Sequence, residues 1–233
     1  MRAVRGLVIA VLVVALIGVG LYFADGYARG RVEERVAAEL QTQLGTPNPP
    51  SVEIGGSIFL LQVVSGSISN VHVVADQIGT TNDAALAVAD SDLVLTDVTS
   101  DDWFQTFTAG HAEGTALIEY PALQSMAGVP LTYDGGGRVQ TETSTSVLGR
   151  DVRAVIDGTP TLNVREQSIN LTDAEINVAG VNLPDFTSQA ILRAVLKPFP
   201  ITGVPFGLTV SSINASDDGV HATMSGDNLP LQR

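Results

Sequence analysis

The sequence predicts an α+β fold: a valine-rich antiparallel sheet curved around a helix, behind an N-terminal transmembrane helix. Three observations carry this expectation. Between residues 52 and 226, short stretches of alternating apolar and polar residues recur between turn signals, the pattern of strands with one buried face. Residues 184–197 are apolar over so wide an arc that a sheet must cover most of the helix they form. Residues 6–24 are an uncharged run close to the roughly 20 residues that span a bilayer. With 233 residues, 45% apolar but only 5% aromatic, the chain can build a sizeable core, and its many valines favour strands.

The N-terminal run sets the first element. Arg2 and Arg5 precede it and no further charge occurs before Asp25, so the N-terminus is expected to stay in the cytoplasm and the remainder to be exported. Two readings of residues 1–25 compete, a cleaved signal peptide and an uncleaved signal anchor. The length of the run and the lack of a clean Ala-x-Ala motif favour the anchor. Across residues 29–44, Val32, Val36, Leu40 and Leu44 recur at every fourth position beside Ala37, which predicts an amphipathic helix capped by Gly45. It packs on the domain or lies against the membrane, and Glu33, Glu34 and Glu39 weigh against the second option. Pro47, Pro49 and Pro50 then form a stiff linker. The expected organisation is residues 1–25 as signal anchor or signal peptide, 26–50 as amphipathic helix and proline linker, and 51–233 as the α+β domain.

Residues 52–74 open that domain. The stretch alternates through Val52, Glu53 and Ile54, passes Gly55 and Gly56, and is then apolar on both faces from Ile58 to Val64, with Gln62 as the one polar break. Read as a single strand, it must be covered on both faces, by protein or by ligand. Further strands are expected over residues 67–75, 84–96, 113–119, 137–144, 147–156, 161–164, 168–171, 174–178, 208–215 and 220–226. Asp217, Asp218 and Gly219 form a hairpin turn, and Asp134 with Gly135, Gly136 and Gly137 forms another. A short helix over 121–127 closes at Gly128. Pro184 and Pro198 bound the wide-arc helix, whose apolar positions include Phe186, Ala190, Ile191, Leu192, Ala194 and Val195. Residues 199–206 read as an apolar, proline-rich loop without regular structure, a greasy rim in need of cover.

Composition argues against several classes of function. The formal charge is −13, and setting aside the leading arginines leaves −15 on the remainder, a poor match for nucleic acid. The absence of cysteine removes disulfides, Cys-based zinc sites and thiol nucleophiles. His72, His111 and His221 fall in separate strand segments and read as structural or outward-facing. There is no Gly-x-Ser-x-Gly elbow, phosphate loop or dinucleotide glycine pattern. The acidic pairs Asp90/Asp92, Asp101/Asp102 and Asp217/Asp218 match no calcium loop. Trp103, Phe104 and Phe107 form a dense aromatic cluster, assigned to core packing ahead of a membrane-facing edge. No catalytic residue, metal or cofactor is expected.

Several motifs resemble one family. They are Pro50-Ser51-Val52-Glu53-Ile54-Gly55 after the helix, Phe59-Leu60-x-Gln62 with Gly66, the valine-rich strand at 71–74, and Leu183-Pro184. Pro205-Phe206-Gly207-Leu208-Thr209-Val210-x-Ser212, Asp218-Gly219-Val220 and Gly226 complete the set. Together they resemble the LmeA-like phospholipid-binding proteins of the actinobacterial envelope, over nearly all of the chain after the anchor. Ile58 departs from the pattern, standing where family members usually carry proline. The resemblance implies the tubular lipid-binding architecture, a long curved antiparallel sheet wrapped around a helix with an apolar groove. It also implies phospholipid binding outside the cytoplasmic membrane, holding or shuttling lipid for envelope or lipoglycan maintenance, without catalytic residues.

An acyl chain gains about 0.8 kcal/mol per buried methylene, so an apolar lining is enough for affinity. The expected lining is Ile58, Phe59, Leu61 and Val63, faced by Phe186, Ile191, Val195, Phe199 and Phe206. Gln62, Arg138, Arg150 and Arg153 are candidate headgroup contacts, with salt-bridged surface arginines as the competing reading. The expected partners are phospholipid and, through the N-terminal helix, the cytoplasmic membrane. The alternative function is a membrane-anchored interaction scaffold whose core is filled by its own side chains.

Overall fold

The structure, a computed structural model, describes residues 2–78, 88–100, 106–147, 150–178, 198–201 and 204–231. Within these, side chains are not described for 2–21, 126, 143–147, 150–153, 178 and 205. Helix α1 runs from Arg2 to Leu44, 43 residues, which makes it about 65 Å long. It passes unbroken through residue 25 and stops where Gly45 turns to φ 64 and the Thr46 N–H donates to the Gln41 carbonyl at 3.2 Å. Among the described residues no helix is long and apolar enough to cross a membrane. The run at 6–24 lies almost wholly in the part of α1 whose side chains are not described.

The C-terminal half of α1 packs through part of its expected four-residue stripe, while Val32 is exposed at 38%. Val36, Ala37 and Leu40 meet Val52, Val71, Val73 and Leu93 on the first sheet. Glu33 secures the sheet edge, its carboxylate accepting the Ile54 N–H at 2.8 Å. An edge amide that would otherwise be free to pair with another chain is thereby satisfied.

The body is mostly antiparallel sheet. Six strands, β1 (Ser51–Ile54), β2 (Ser67–Ile78), β3 (Val88–Thr99), β4 (Phe107–Glu119), β10 (Thr209–Ala215) and β11 (Gly219–Leu231), pair in the order β1-β2-β3-β4-β11-β10. After β4 the chain leaves this sheet through helix α3 (Tyr120–Ala127), closed by left-handed Gly128 as expected. It then builds a second sheet from β5 (Leu131–Gly135), β6 (Arg138–Val147), β7 (Arg150–Asn163), β8 (Ser168–Val178) and β9 (Phe199–Pro200), paired in that order. The Asp134–Gly137 and Asp217–Gly219 turns join β5 to β6 and β10 to β11.

Among the described residues, a buried cluster and a side-chain clamp join the sheets. Val139, Ala215 and Val220 form a buried cluster with Tyr120, Leu123, Tyr133, Leu171 and Ile213 around it. At the β7–β8 turn, the Gln167 amide accepts the Val210 N–H at 2.8 Å and donates to the Val210 carbonyl at 3.0 Å. A side chain thus does for Val210 what a neighbouring strand would do, at the point where the β10–β11 register shifts.

Several expectations need correction. The single long sheet is two open sheets. The strand expected through residues 58–64 is a helix, α2 (Phe59–Ser65), between β1 and β2. Gly56 at φ 102 turns the chain out of β1, and Gly66 at φ 69 caps α2 with its N–H on the Gln62 and Val63 carbonyls. A short apolar run carries no period that separates strand from helix, and here the glycines at its ends decide. Residues 161–163 continue β7 with Val164 in the following turn, and the segments at 168–171 and 174–178 are one strand, β8. Proline and glycine breaks were misleading there, because Pro160 sits within β7 and the irregularity between Asp157 and Thr159 absorbs the break as a bulge. Strand β5 was not anticipated. Residues 199–206 are not wholly irregular, since β9 pairs with β8 and a 3-10 turn covers Pro205–Gly207. The helix expected over 184–197 and the cluster at Trp103 and Phe104 lie outside the described residues.

Candidate functional site

The inner face of the six-stranded sheet is built in rows across the strands. Registers place Val73, Leu93, Gly114, Met224 and Val210 side by side, and next to them Val71, Leu95, Ala112 and Gly226. A third row runs Ala75, Ser91, Ala116, Ala222 and Ile213, and a fourth Ile68, Val98, Ala109 and Leu229. Side chains alternate across a strand, and positive-φ Asp97 and Asn228 on the neighbouring strands mark where the face shifts by one residue. Between Phe107 and Ile118, β4 therefore gives this face Ala109, Ala112, Gly114 and Ala116. The flanking strands give Leu93, Leu95, Val98, Met224 and Leu229, with the smaller Ser91, Ala222 and Gly226 between them. The face is therefore shallow along β4 and raised on both sides at Gly114 and Ala109, a trough with an alanine and glycine floor. The floor is buried, whereas Leu93, Val71 and Met224 on its flanks are only half-buried.

Leu95, Val98, Leu208 and Leu229 pack around the floor with Phe107 and Val204. Val71 and Leu93 belong both to this cluster and to the one under α1, so the apolar surface is continuous from helix to C-terminal strands. Phe206, held at φ 57 within the 3-10 turn, lies half-buried. Sequence reasoning missed the floor residues, although the signal was present in β4 as small residues at alternate positions.

The expected lining does not come together on one wall. Phe59 is buried at 2% exposure, Val63 is half-buried, and Ile58 and Leu61 face outward at 53% and 62%. A helix spreads over its whole circumference side chains that a strand would send to two faces. Phe199 lies on β9 of the second sheet and Phe206 near the first. Phe186, Ile191 and Val195 lie outside the described residues.

The polar candidates are engaged within the protein. Gln62 donates to the Gly55 carbonyl at 3.1 Å and accepts the Ser69 N–H at 2.7 Å, clamping α2 between β1 and β2. A Cβ on Gly56 would stand 2.4 Å from that amide, so the clamp needs glycine there for space as well as for its positive φ. Arg138 pairs with Asp157 and donates to the Asp173 carbonyl at 3.3 Å. The hydrogen bond to Asp157 leads in raising its pKa above the ordinary value. Of Arg150 and Arg153 the structure describes only the backbone, in β7 opposite Val147 and Ser144.

Where α1 meets α2, charge acts as a latch. Asp25, 9% exposed, accepts the Leu60 N–H at 2.7 Å and pairs with Arg29 at 3.3 Å. Arg29 also donates to the Gly56 and Ser57 carbonyls at 3.3 and 3.4 Å. Asp25 thus caps α2 from another element, doing what Ile58 at the N-cap cannot. The Leu60 N–H is the main reason its pKa lies below the ordinary value.

The histidines pair with carboxylates: His72 with Asp92 at 2.9 Å, His221 with Asp218 at 3.1 Å, and His111 with Asp227 at 2.6 Å and Glu113 at 3.3 Å. All three are substantially exposed. Among the described residues no group of three or more His, Asp or Glu is arranged to hold a metal.

A model of the LmeA-like phospholipid-binding family matches residues 23–225. Neither the search of curated proteins nor that of solved structures found a match.

Proposed function

The chain belongs to the LmeA-like phospholipid-binding family, and from that premise we propose that it binds phospholipid with its acyl chains along the trough of the six-stranded sheet. The observation that carries this reading is the floor of Ala109, Ala112, Gly114 and Ala116 between half-buried Leu93, Val71 and Met224. Small side chains at the centre of an apolar face leave depth for a tail, and burial of its methylenes supplies affinity without a charged ligand. The engagement of Gln62 and Arg138 within the protein favours recognition by tails over recognition by headgroup.

The proposed role is non-enzymatic: the protein holds or shuttles phospholipid outside the cytoplasmic membrane for envelope or lipoglycan maintenance. It is tethered by the uncharged run at 6–24. Lipid extraction and native mass spectrometry of the full chain, released from membranes in mild detergent, test the binding. The expected result is co-purifying phospholipid that Met224→Glu removes. A wild-type chain free of lipid that also takes up no fluorescent phospholipid would leave the scaffold reading in its place.

A further inference from the structure

A second apolar surface lies outside the rows that form the trough. On α2, Leu60, Leu61 and Val64 occupy one arc of the seven-residue helix, exposed at 37%, 62% and 84%, and Ile58 adjoins them. On α1, Tyr22, Phe23 and Tyr27 are also largely exposed, with Tyr22 and Phe23 edge to face at 5.9 Å. The inner side of α2 is already occupied: Phe59 is buried and Gln62 is clamped to two strands. Its outer arc therefore cannot rotate inward.

From these positions we propose that the outer face of α2, with Tyr22, Phe23 and Tyr27, is a membrane-docking surface lying in the headgroup region of the bilayer that holds the N-terminal run. The latch sets the depth. Asp25 is the first residue after the run ends and holds the Leu60 N–H, which puts the start of α2 within about one helical turn, roughly 5 Å, of the run's last residue. Tyrosines at that level suit the interface, where a ring sits in the acyl boundary and its hydroxyl in water. Charge points the same way. The chain after the leading arginines carries −15, yet no charged side chain occurs between Glu53 and His72. The α2 segment can thus approach an anionic surface with little repulsion. Docked in this way, α2 fixes the tilt of the body and keeps the trough close to its source of lipid.

This inference rests on the proposed tether, and the test separates it from lipid binding in the trough. Because the chain has no cysteine, a single cysteine accepts a fluorophore uniquely. Val64→Cys and, as a control on the outward side of β11, Thr223→Cys are labelled with nitrobenzoxadiazole. The full chains are then reconstituted in vesicles of phosphatidylcholine and phosphatidylglycerol. The Val64 label is expected to shift to the blue, resist iodide and be quenched by lipids carrying a shallow nitroxide, while the Thr223 label does none of these. A Val64 label as open to iodide as the control overturns the docking surface, and phospholipid still extracted from that preparation leaves the trough reading intact. Shielding of the Val64 label that is lost when the protein-to-lipid ratio is lowered assigns the face to a second copy and likewise overturns the proposal. A docked label on chain that co-purifies no lipid supports this surface while removing the trough reading.

Discussion

The chain has two apolar surfaces with opposite constructions. The trough is assembled from five strands, its residues are far apart in sequence, and its floor is made of the smallest side chains available. The outer face of α2 comes from a few consecutive residues whose large side chains stand in water. Depth distinguishes them. A surface with raised flanks can enclose a tail, whereas a convex helix face can only press against another surface. The same residue types, Leu, Val and Ile, serve both, so hydropathy alone cannot assign either.

The widest separation between the two surfaces is expected from a charge placed at the trough. Met224→Glu sets a carboxylate between Gly114 and Val210, where a tail would lie, and an unpaired charge in an apolar setting is expensive. Phospholipid recovered by extraction should fall by about tenfold or more, with circular dichroism unchanged and the Val64 label still docked. Next comes Gln167→Leu, which leaves the Val210 N–H and carbonyl without their partner. It should cost about 2 kcal/mol, read as a lower urea midpoint, because buried backbone groups lose their hydrogen bonds. Loss of lipid alongside would show that the second sheet supports the rim of the trough.

A smaller and more local effect is expected at the other surface. Gln62→Leu removes both clamps on α2 and should loosen that helix by about 1–2 kcal/mol, so that its amides exchange faster by about tenfold while lipid recovery is unaltered. The least effect is a titration. Asp25 has a depressed pKa in the folded protein, so its contribution is present above the unfolded value of 3.8 and is lost as pH falls through the lower folded value. The latch should therefore be intact at neutral and mildly acidic pH. The Leu60 amide proton, followed by NMR, should titrate with a midpoint below 3.8, and Asp25→Asn should abolish that step.

Much of the strand content was legible, because alternation of buried and exposed positions leaves a direct trace in sequence. The amphipathic half of α1, the two glycine-marked hairpins and the α3 helix with its Gly128 cap were legible for the same local reasons. The candidate site was less so. Gly114 lies between Leu93 and Met224 only through pairings from β3 to β4 and from β4 to β11, and the latter joins residues about a hundred positions apart. No local pattern reports such a register. The α2 segment was misread for a different reason. Seven residues from Phe59 to Ser65 are too few for either period to declare itself, and the deciding features are Gly56 and Gly66 at its ends. Gln62 was singled out as the polar break, and its partners proved to be the Gly55 and Ser69 backbone.

Photocrosslinking locates the lipid most directly. A phospholipid carrying a diazirine near the end of one acyl chain is loaded onto the full chain in detergent, at about one lipid per protein, and the crosslinked peptides are mapped by mass spectrometry. Crosslinks should fall on β3, β4 and β11, around Leu93, Ala112 and Met224. Crosslinks confined to α2, or spread evenly over the surface, would contradict a tail-binding trough.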